Sequence, residues 1–189
     1  HLDIMDNTFV QSRAFSVEEI NNIISEKPKH VHIMSKNLET YVNDLKNVNS
    51  ISFHYEATID HEKIIKIIKA KNVSAGLVIK SETNIAQIEK ILPNVDRLVV
   101  MAVPPGYSGQ KFIESTTDKI QQIRKINNDI FIAVDGGMNE KTMYEVTSVG
   151  ANSCVVCSVI IKSSDPVKKI FDLKKKCIEG KHYYLKKIK

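Results

Sequence analysis

The sequence predicts an α/β fold of parallel strands covered by helices, and three observations predict it. Short β-branched runs alternate with helical segments at an uneven period of roughly 20–30 residues, the sign of βα units. The strands are apolar without strict alternation, as strands buried on both faces are. No Pro-, Gly- or Ser-rich linker divides the 189 residues. One domain over residues 1–180 is expected, with 181–189 as a basic C-terminal tail.

The elements follow in order. Residues 2–5 read as a strand and 17–25 as a helix, opened by the capping box Ser16-Val-Glu-Glu19. Strand 30–34 precedes helix 38–45, and strand 51–54 precedes helix 62–71 with Asp60 as N-cap. Strand 74–79 leads to a short helix over 84–91, stopped by Pro93. Strand 98–103, a loop and a helix over 114–126 come next. Strand 130–134 is followed by helix 140–148, ending at Gly150. Strand 154–159 and helix 166–178 close the pattern, with Pro166 suited to a first helical turn.

This is seven βα units, the first beginning at residue 1. A closed (β/α)8 barrel needs eight. The expectation is therefore a TIM (β/α)8 barrel whose first βα unit is absent from this sequence. The competing architecture is an open doubly wound sheet. That fold usually carries a Gly-rich turn after its first strand, and Asp6-Asn-Thr-Phe-Val10 is not one.

Composition narrows the function classes. At 42% apolar and 26% charged residues the chain is ordinary for a globular protein. No run approaches the roughly 18 apolar residues of a membrane span, so no membrane association is expected. Three cysteines are an odd count and too few for a disulfide scaffold, which points to a reducing, cytoplasmic setting. The net charge is +5, but residues 162–189 hold ten lysines against Asp165, Asp172 and Glu179. The remainder is slightly acidic, so no nucleic-acid partner is expected. The basic end reads as a solvated helix face and tail, with polyanion binding as the alternative.

Period 2 places His1, Asp3 and Met5 on one face of the first strand. His32 and Met34 share a face of the second in the same way. Two readings are open: imidazoles and a carboxylate converging on a cation, or a hydrogen-bonded polar cluster. Asp135-Gly136-Gly137 follows the apolar run 130–134, so Asp135 stands at the carboxyl end of a strand, where barrels collect functional groups. Its glycines can bring amides close to an anion, although Asp-Gly is also a plain turn pair. Pro104-Pro-Gly-Tyr-Ser-Gly-Gln110 and Cys157-Ser158 follow two other strands. With one strand missing, Asp135-Gly-Gly and Cys157-Ser follow strands seven and eight, the phosphate-binding positions of the barrel. Cys154 and Cys157 lie three apart on a strand and face opposite sides, so both read as structural. His54 and Glu56 either line the cavity or pair with each other.

The sequence resembles the ribulose-phosphate 3-epimerase family. The motifs that carry the resemblance are HLDIMD (1–6), VHIM (31–34), ISFHYEA (51–57), GLVIKSET (76–83), VVMAVPPGYSGQKF (99–112), VDGGM (134–138) and GANSCVVCS (150–158). They occur in the family's order over nearly the whole chain. The resemblance implies a metal-dependent enzyme of the pentose phosphate pathway that inverts C3 of D-ribulose 5-phosphate to give D-xylulose 5-phosphate. It implies His1, Asp3, His32 and Asp135 as ligands of one divalent ion, for which Zn²⁺, Fe²⁺, Mn²⁺ and Co²⁺ all suit. Asp3 and Asp135 match the acid–base pair, which inversion needs because one proton leaves from one face and another returns to the opposite face. The ion would stabilise an enediolate. Met5, Met34 and Met101 match methionines lining the site, and His32 would also touch substrate. The phosphate of the sugar would rest on Gly106, Tyr107, Ser108, Gly109, Gly136, Gly137, Cys157 and Ser158. The family's habit also implies a homo-oligomer.

The chain departs from the family pattern at several positions. Asn7 stands where glycine is usual, and Pro104 where asparagine is usual. Tyr107 and Ser108 replace Phe and Gly, Lys80-Ser-Glu-Thr83 stands for NPxT, and Cys157-Ser158 for GS. None of these is at a metal position. They leave two alternatives: an epimerase of another ketose phosphate, and a non-catalytic sugar-phosphate-binding remnant.

Overall fold

The computed structural model describes residues 1–188. Two compact units are distinguished: His1–Ile79 with Ile88–Leu98, and Lys80–Gln87 with the chain from Val99 onward.

In the first unit, β1 (Leu2–Met5) is followed by α1 (Val17–Asn22), and β2 (His30–Met34) by α2 (Leu38–Asp44). Next come β3 (Ser50–His54), a 3-10 turn (Tyr55–Ala57), α3 (His61–Ala70) and β4 (Ser74–Ile79). β1, β2, β3 and β4 pair in parallel, in register Asp3 to His32, His32 to Ser52 and Ser52 to Gly76. All five residues of β3 are buried, as a strand covered on both faces requires. The helices supply one apolar face each. Ile64, Ile65 and Ile68 of α3 are buried, while the lysines at 63, 66 and 69 face outward. The capping box at Ser16 forms as its sequence implies, with Glu19 Oε2 accepting from the Ser16 backbone and hydroxyl.

The turn after β1 accounts for one departure from the family pattern. Asn7 has φ +66°, in the left-handed region that glycine enters freely and asparagine tolerates better than most residues. Asn7→Ala is expected to cost about 1 kcal/mol and lower Tm by a few degrees, whereas Asn7→Gly should keep the wild-type melt. An Ala variant melting with the wild type would contradict this.

The second unit holds all but the last residue of α4 (Ile85–Ile88) and the later part of β5 (Arg97–Met101), then α5 (Thr116–Ile126) and β6 (Phe131–Asp135). It continues through α6 (Glu140–Ser148), β7 (Ser153–Val155), α7 (Ser158–Ile161) and α8 (Pro166–Lys187). β6 and β7 pair in parallel, Asp135 opposite Val155. Within each unit the paired strands follow chain order without rearrangement, β1 to β4 in the first and β6 to β7 in the second. A doubly wound sheet reverses its order at a switch point. Sequential strands, each followed by a helix, are the βα units of the TIM-type barrel.

Several boundaries differ from the sequence reading. The helix expected over 17–25 stops at Asn22. The one over 84–91 is reduced to α4, with Pro93 inside a separate 3-10 turn at Leu92–Asn94. The last strand, expected over 154–159, ends at Val155, and the β-branched run after it folds into α7. Cys157 and Ser158 thus lie at the start of α7 and not at a strand end. The final helix, expected to end at residue 178, continues to Lys187 and takes in most of the segment read as a tail. Gly180 disfavours a helix interior by about 1 kcal/mol relative to alanine. Here a Cβ at Gly180 would collide with Thr147 and the Tyr144 carbonyl of α6, so close helix packing requires it. Tyr184 donates to Asn128 Oδ1 at 3.2 Å, and Lys186 and Lys187 suit the negative end of the helix dipole.

Candidate active site

The first unit gathers a polar cluster at β1 and β2. Alternation turns Ile4 into the core and leaves His1, Asp3 and Met5 together on the other face of β1. The parallel register then sets His32 beside Asp3. His1 Nε2 lies 3.1 Å from Asp3 Oδ1, and His32 Nδ1 lies 3.2 Å from the same oxygen. His32 is fully buried. Burial by itself would raise the Asp3 carboxyl. The imidazoles of His1 and His32 outweigh it by hydrogen bonding and charge, and hold the group well below the usual carboxylate range.

These three side chains fit a divalent ion. Ligand atoms bound at about 2.1 Å around a tetrahedral ion stand about 3.4 Å apart, close to the separations just given. The two nitrogens and one oxygen are the donors that first-row divalent ions take. The groove also has a second row of imidazoles. His30 Nδ1 is 3.0 Å from His1 Nδ1, and His54 Nε2 is 3.0 Å from His32 Nε2. His54 and Glu56 pair at 3.2 Å, one of the two roles open to them from the sequence. His30 was not singled out by sequence reasoning. Its signal was available, because His30 and His32 alternate on one strand.

Asp6 was also missed. Its carboxylate accepts from the Thr8 backbone and hydroxyl, Ser35 Oγ, Asn37 Nδ2 and Tyr41 Oη, at 2.6–3.1 Å. Desolvation works against ionisation, yet these donors lower its pKa from 3.8 to about 2. Asp6 thereby ties the loop after β1, next to Met5, to the loop after β2, next to Met34. Met34 is buried and Met5 half-buried.

In the second unit Asp135 ends β6, half-buried, and its carbonyl accepts from Ala102 N at 2.7 Å. Gly136 and Gly137 have φ of +100° and +67°. A Cβ at Gly136 would strike Val103, and one at Gly137 would come within 2.7 Å of the Phe112 backbone. The turn after Asp135 is therefore open only to glycine. Gly109, Gly137 and Ser158 line one cavity of about 740 Å³, together with Phe112, Lys141 and Thr142. Gly106, Tyr107, Ser108, Gly136 and Cys157 are not among its lining residues. Tyr107 and Ser108 are exposed, Gly106 is buried, and Met101 is buried at the end of β5. Gln110, not anticipated, braces the loop by donating to the Pro104 and Tyr107 carbonyls at 2.7 and 2.8 Å.

Of the two cysteines read as structural, Cys157 departs from the expectation of a buried strand position. Cys157 is exposed at the start of α7, and Cys154 lies with its sulfur 4.0 Å from that of Cys177 on α8.

The fold and the cluster define a TIM-barrel enzyme with a histidine–carboxylate centre at its strands. The family model described as Ribulose-phosphate 3 epimerase family matches residues 1–161. The chain is 33% identical over 174 residues to the ribulose-phosphate 3-epimerase of Serratia marcescens, with 87% of this chain and 83% of that protein covered. It is 31% identical over 183 residues to that of Bacillus subtilis, covering 92% and 84%. Among solved structures, 3-hexulose-6-phosphate synthase from Salmonella typhimurium superposes with a TM-score of 0.57 at 15% identity, over 80% of this chain and 74% of that one. This last likeness concerns the fold. The chain belongs to the ribulose-phosphate 3-epimerase family.

Proposed function

We propose that the protein inverts C3 of D-ribulose 5-phosphate to give D-xylulose 5-phosphate, with a divalent ion held by His1, Asp3, His32 and Asp135. The observation that carries this reading is the convergence of His1 and His32 on a single Asp3 oxygen in a member of an epimerase family. Asp135 is the fourth ligand, offered from the carboxyl end of β6.

Asp3 and Asp135 act as the acid–base pair, one taking the C3 proton and the other returning a proton to the opposite face. When bound, the ion supplies positive charge that stabilises the negative charge developing on the substrate oxygens at C2 and C3. His1 and His32 keep Asp3 in place by their contacts with its Oδ1. Met5, Met34 and Met101 present soft apolar surface that keeps water from the reacting carbon. The phosphate is bound by the glycine turn at Gly136–Gly137, by Gly106–Gly109 and by Cys157–Ser158. Its support is the cavity shared by Gly109, Gly137 and Ser158. Among the described residues no helix is long and apolar enough to cross a membrane. The protein works in the cytoplasm as a homo-oligomer on a small sugar phosphate.

The test is a coupled assay for D-xylulose 5-phosphate, run beside the same assay on a six-carbon ketose phosphate. Turnover of the five-carbon substrate with little of the six-carbon one is expected. A preference for six carbons would trace to the changed loop at Pro104, Tyr107 and Ser108, and would overturn the substrate. Turnover of neither would overturn the reading in favour of a binding remnant.

A further inference from the structure

The second unit brings two thiols together where the proposed reaction has no use for them. Alternation turns Cys154 to the face of β7 opposite that of Ser153 and Val155. Its Sγ lies 4.0 Å from Sγ of Cys177 on α8, 23 positions away. Packing fixes the second sulfur. Leu173, Cys177, Gly180 and Tyr184 recur at intervals of four, three and four along one face of α8. Leu173 and Gly180 are buried, Gly180 against Thr147 and Tyr144 of α6, and Tyr184 is held by Asn128. The third cysteine, Cys157, is exposed at the start of α7.

The pair is chemically uneven. Its contact with Cys177, and burial in addition, push the Cys154 thiol up, while the same contact draws the Cys177 thiol down. Lys174 and Lys181 border Cys177 three residues before and four after it, and their charge favours a thiolate. Cys177 is half-buried and so open to a small oxidant. A disulfide needs its sulfurs about 2.05 Å apart, and the remaining approach of about 2 Å is shared by two side chains that each turn about χ1.

We propose that Cys154 and Cys177 are a redox-active thiol pair that a hydroperoxide converts to a reversible disulfide, fastening α8 to β7. Cys177 attacks as the thiolate and breaks the O–O bond of hydrogen peroxide. One oxygen stays on its sulfur as a sulfenic acid. The other leaves as hydroxide and takes up the proton that Cys177 gave up, forming water. The Cys154 sulfur then attacks the sulfenic sulfur, and the S–O bond breaks. The departing hydroxide takes the Cys154 proton and leaves as a second water. The two thiols have together lost two electrons, and the peroxide has gained them. A dithiol reverses the change by exchange. In a reducing compartment such a pair acts transiently and not as a permanent staple.

The test treats the whole chain in dilute solution with hydrogen peroxide and maps it by mass spectrometry without reduction. Peptides containing Cys154 and Cys177 are expected to appear joined, with two hydrogens lost and no oxygen added, and dithiothreitol should separate them. The joined form should melt about 3–10 °C above the reduced form, because the link restricts the unfolded chain. In a Cys177→Ser variant Cys154 should keep its thiol, oxidising at least about 10-fold more slowly. The wild-type map stands whether or not that variant folds. A link between Cys154 and Cys157, oxidation confined to Cys157, or two unchanged thiols would overturn the pairing. So would a sulfinic acid at Cys177 beside a Cys154 that is still a thiol. A joined form melting at or below the reduced one would overturn the fastening of α8 to β7.

Discussion

Asp3→Asn and Asp135→Asn are each expected to lower turnover by at least about 10²-fold, the low end for a positioned acid or base. Each change keeps the size of the side chain and removes its capacity to take a proton. In the Asp3→Asn variant the introduced amide would still meet the two imidazoles, but as a neutral group. The charge that now holds His1 and His32 around Oδ1 would be lost with the carboxylate. Metal content should fall in the same variants, because each residue is also a proposed ligand. Steady-state kinetics with elemental analysis check both effects. A variant keeping more than about a tenth of the wild-type rate would remove that carboxylate from the acid–base pair.

Removal of the ion should have an effect of similar size. Dialysis against a strong chelator is expected to cut turnover by about 10²-fold or more, since charge stabilisation by a metal is worth several kcal/mol. Restoration should follow addition of Zn²⁺, Fe²⁺, Mn²⁺ or Co²⁺, and the order of effectiveness identifies the metal the site prefers. Mg²⁺ alone should restore little, because two imidazoles suit the borderline transition ions better than a hard oxygen-seeking cation. Full activity after exhaustive chelation, with no metal found by elemental analysis, would refute metal dependence.

Legibility varied along the chain for physical reasons. The capping box at Ser16 was readable because its hydrogen bonds join residues three apart. Local rules could not foresee the length of α8. Past Ile178 it packs against α6 so closely that a side chain at Gly180 would collide with Thr147 and the Tyr144 carbonyl. The stretch Ser158–Ile161 is rich in β-branched residues and still forms α7. Asn7 was visible as a departure from the family pattern, but its reason is a backbone angle.

By itself the sequence determined the βα rhythm, the class of fold and the face shared by His1, Asp3 and Met5. Each of these depends on periodicities of 2 and 3.6 residues, which operate along the chain. Its motifs in order also determined the family. Only the tertiary structure decided what stands behind those side chains. His30 behind His1, His54 behind His32 and Cys177 beside Cys154 join residues 29, 22 and 23 positions apart. Such pairs are set by strand register and helix docking, in which hydrophobic burial chooses the alignment and the polar contacts follow.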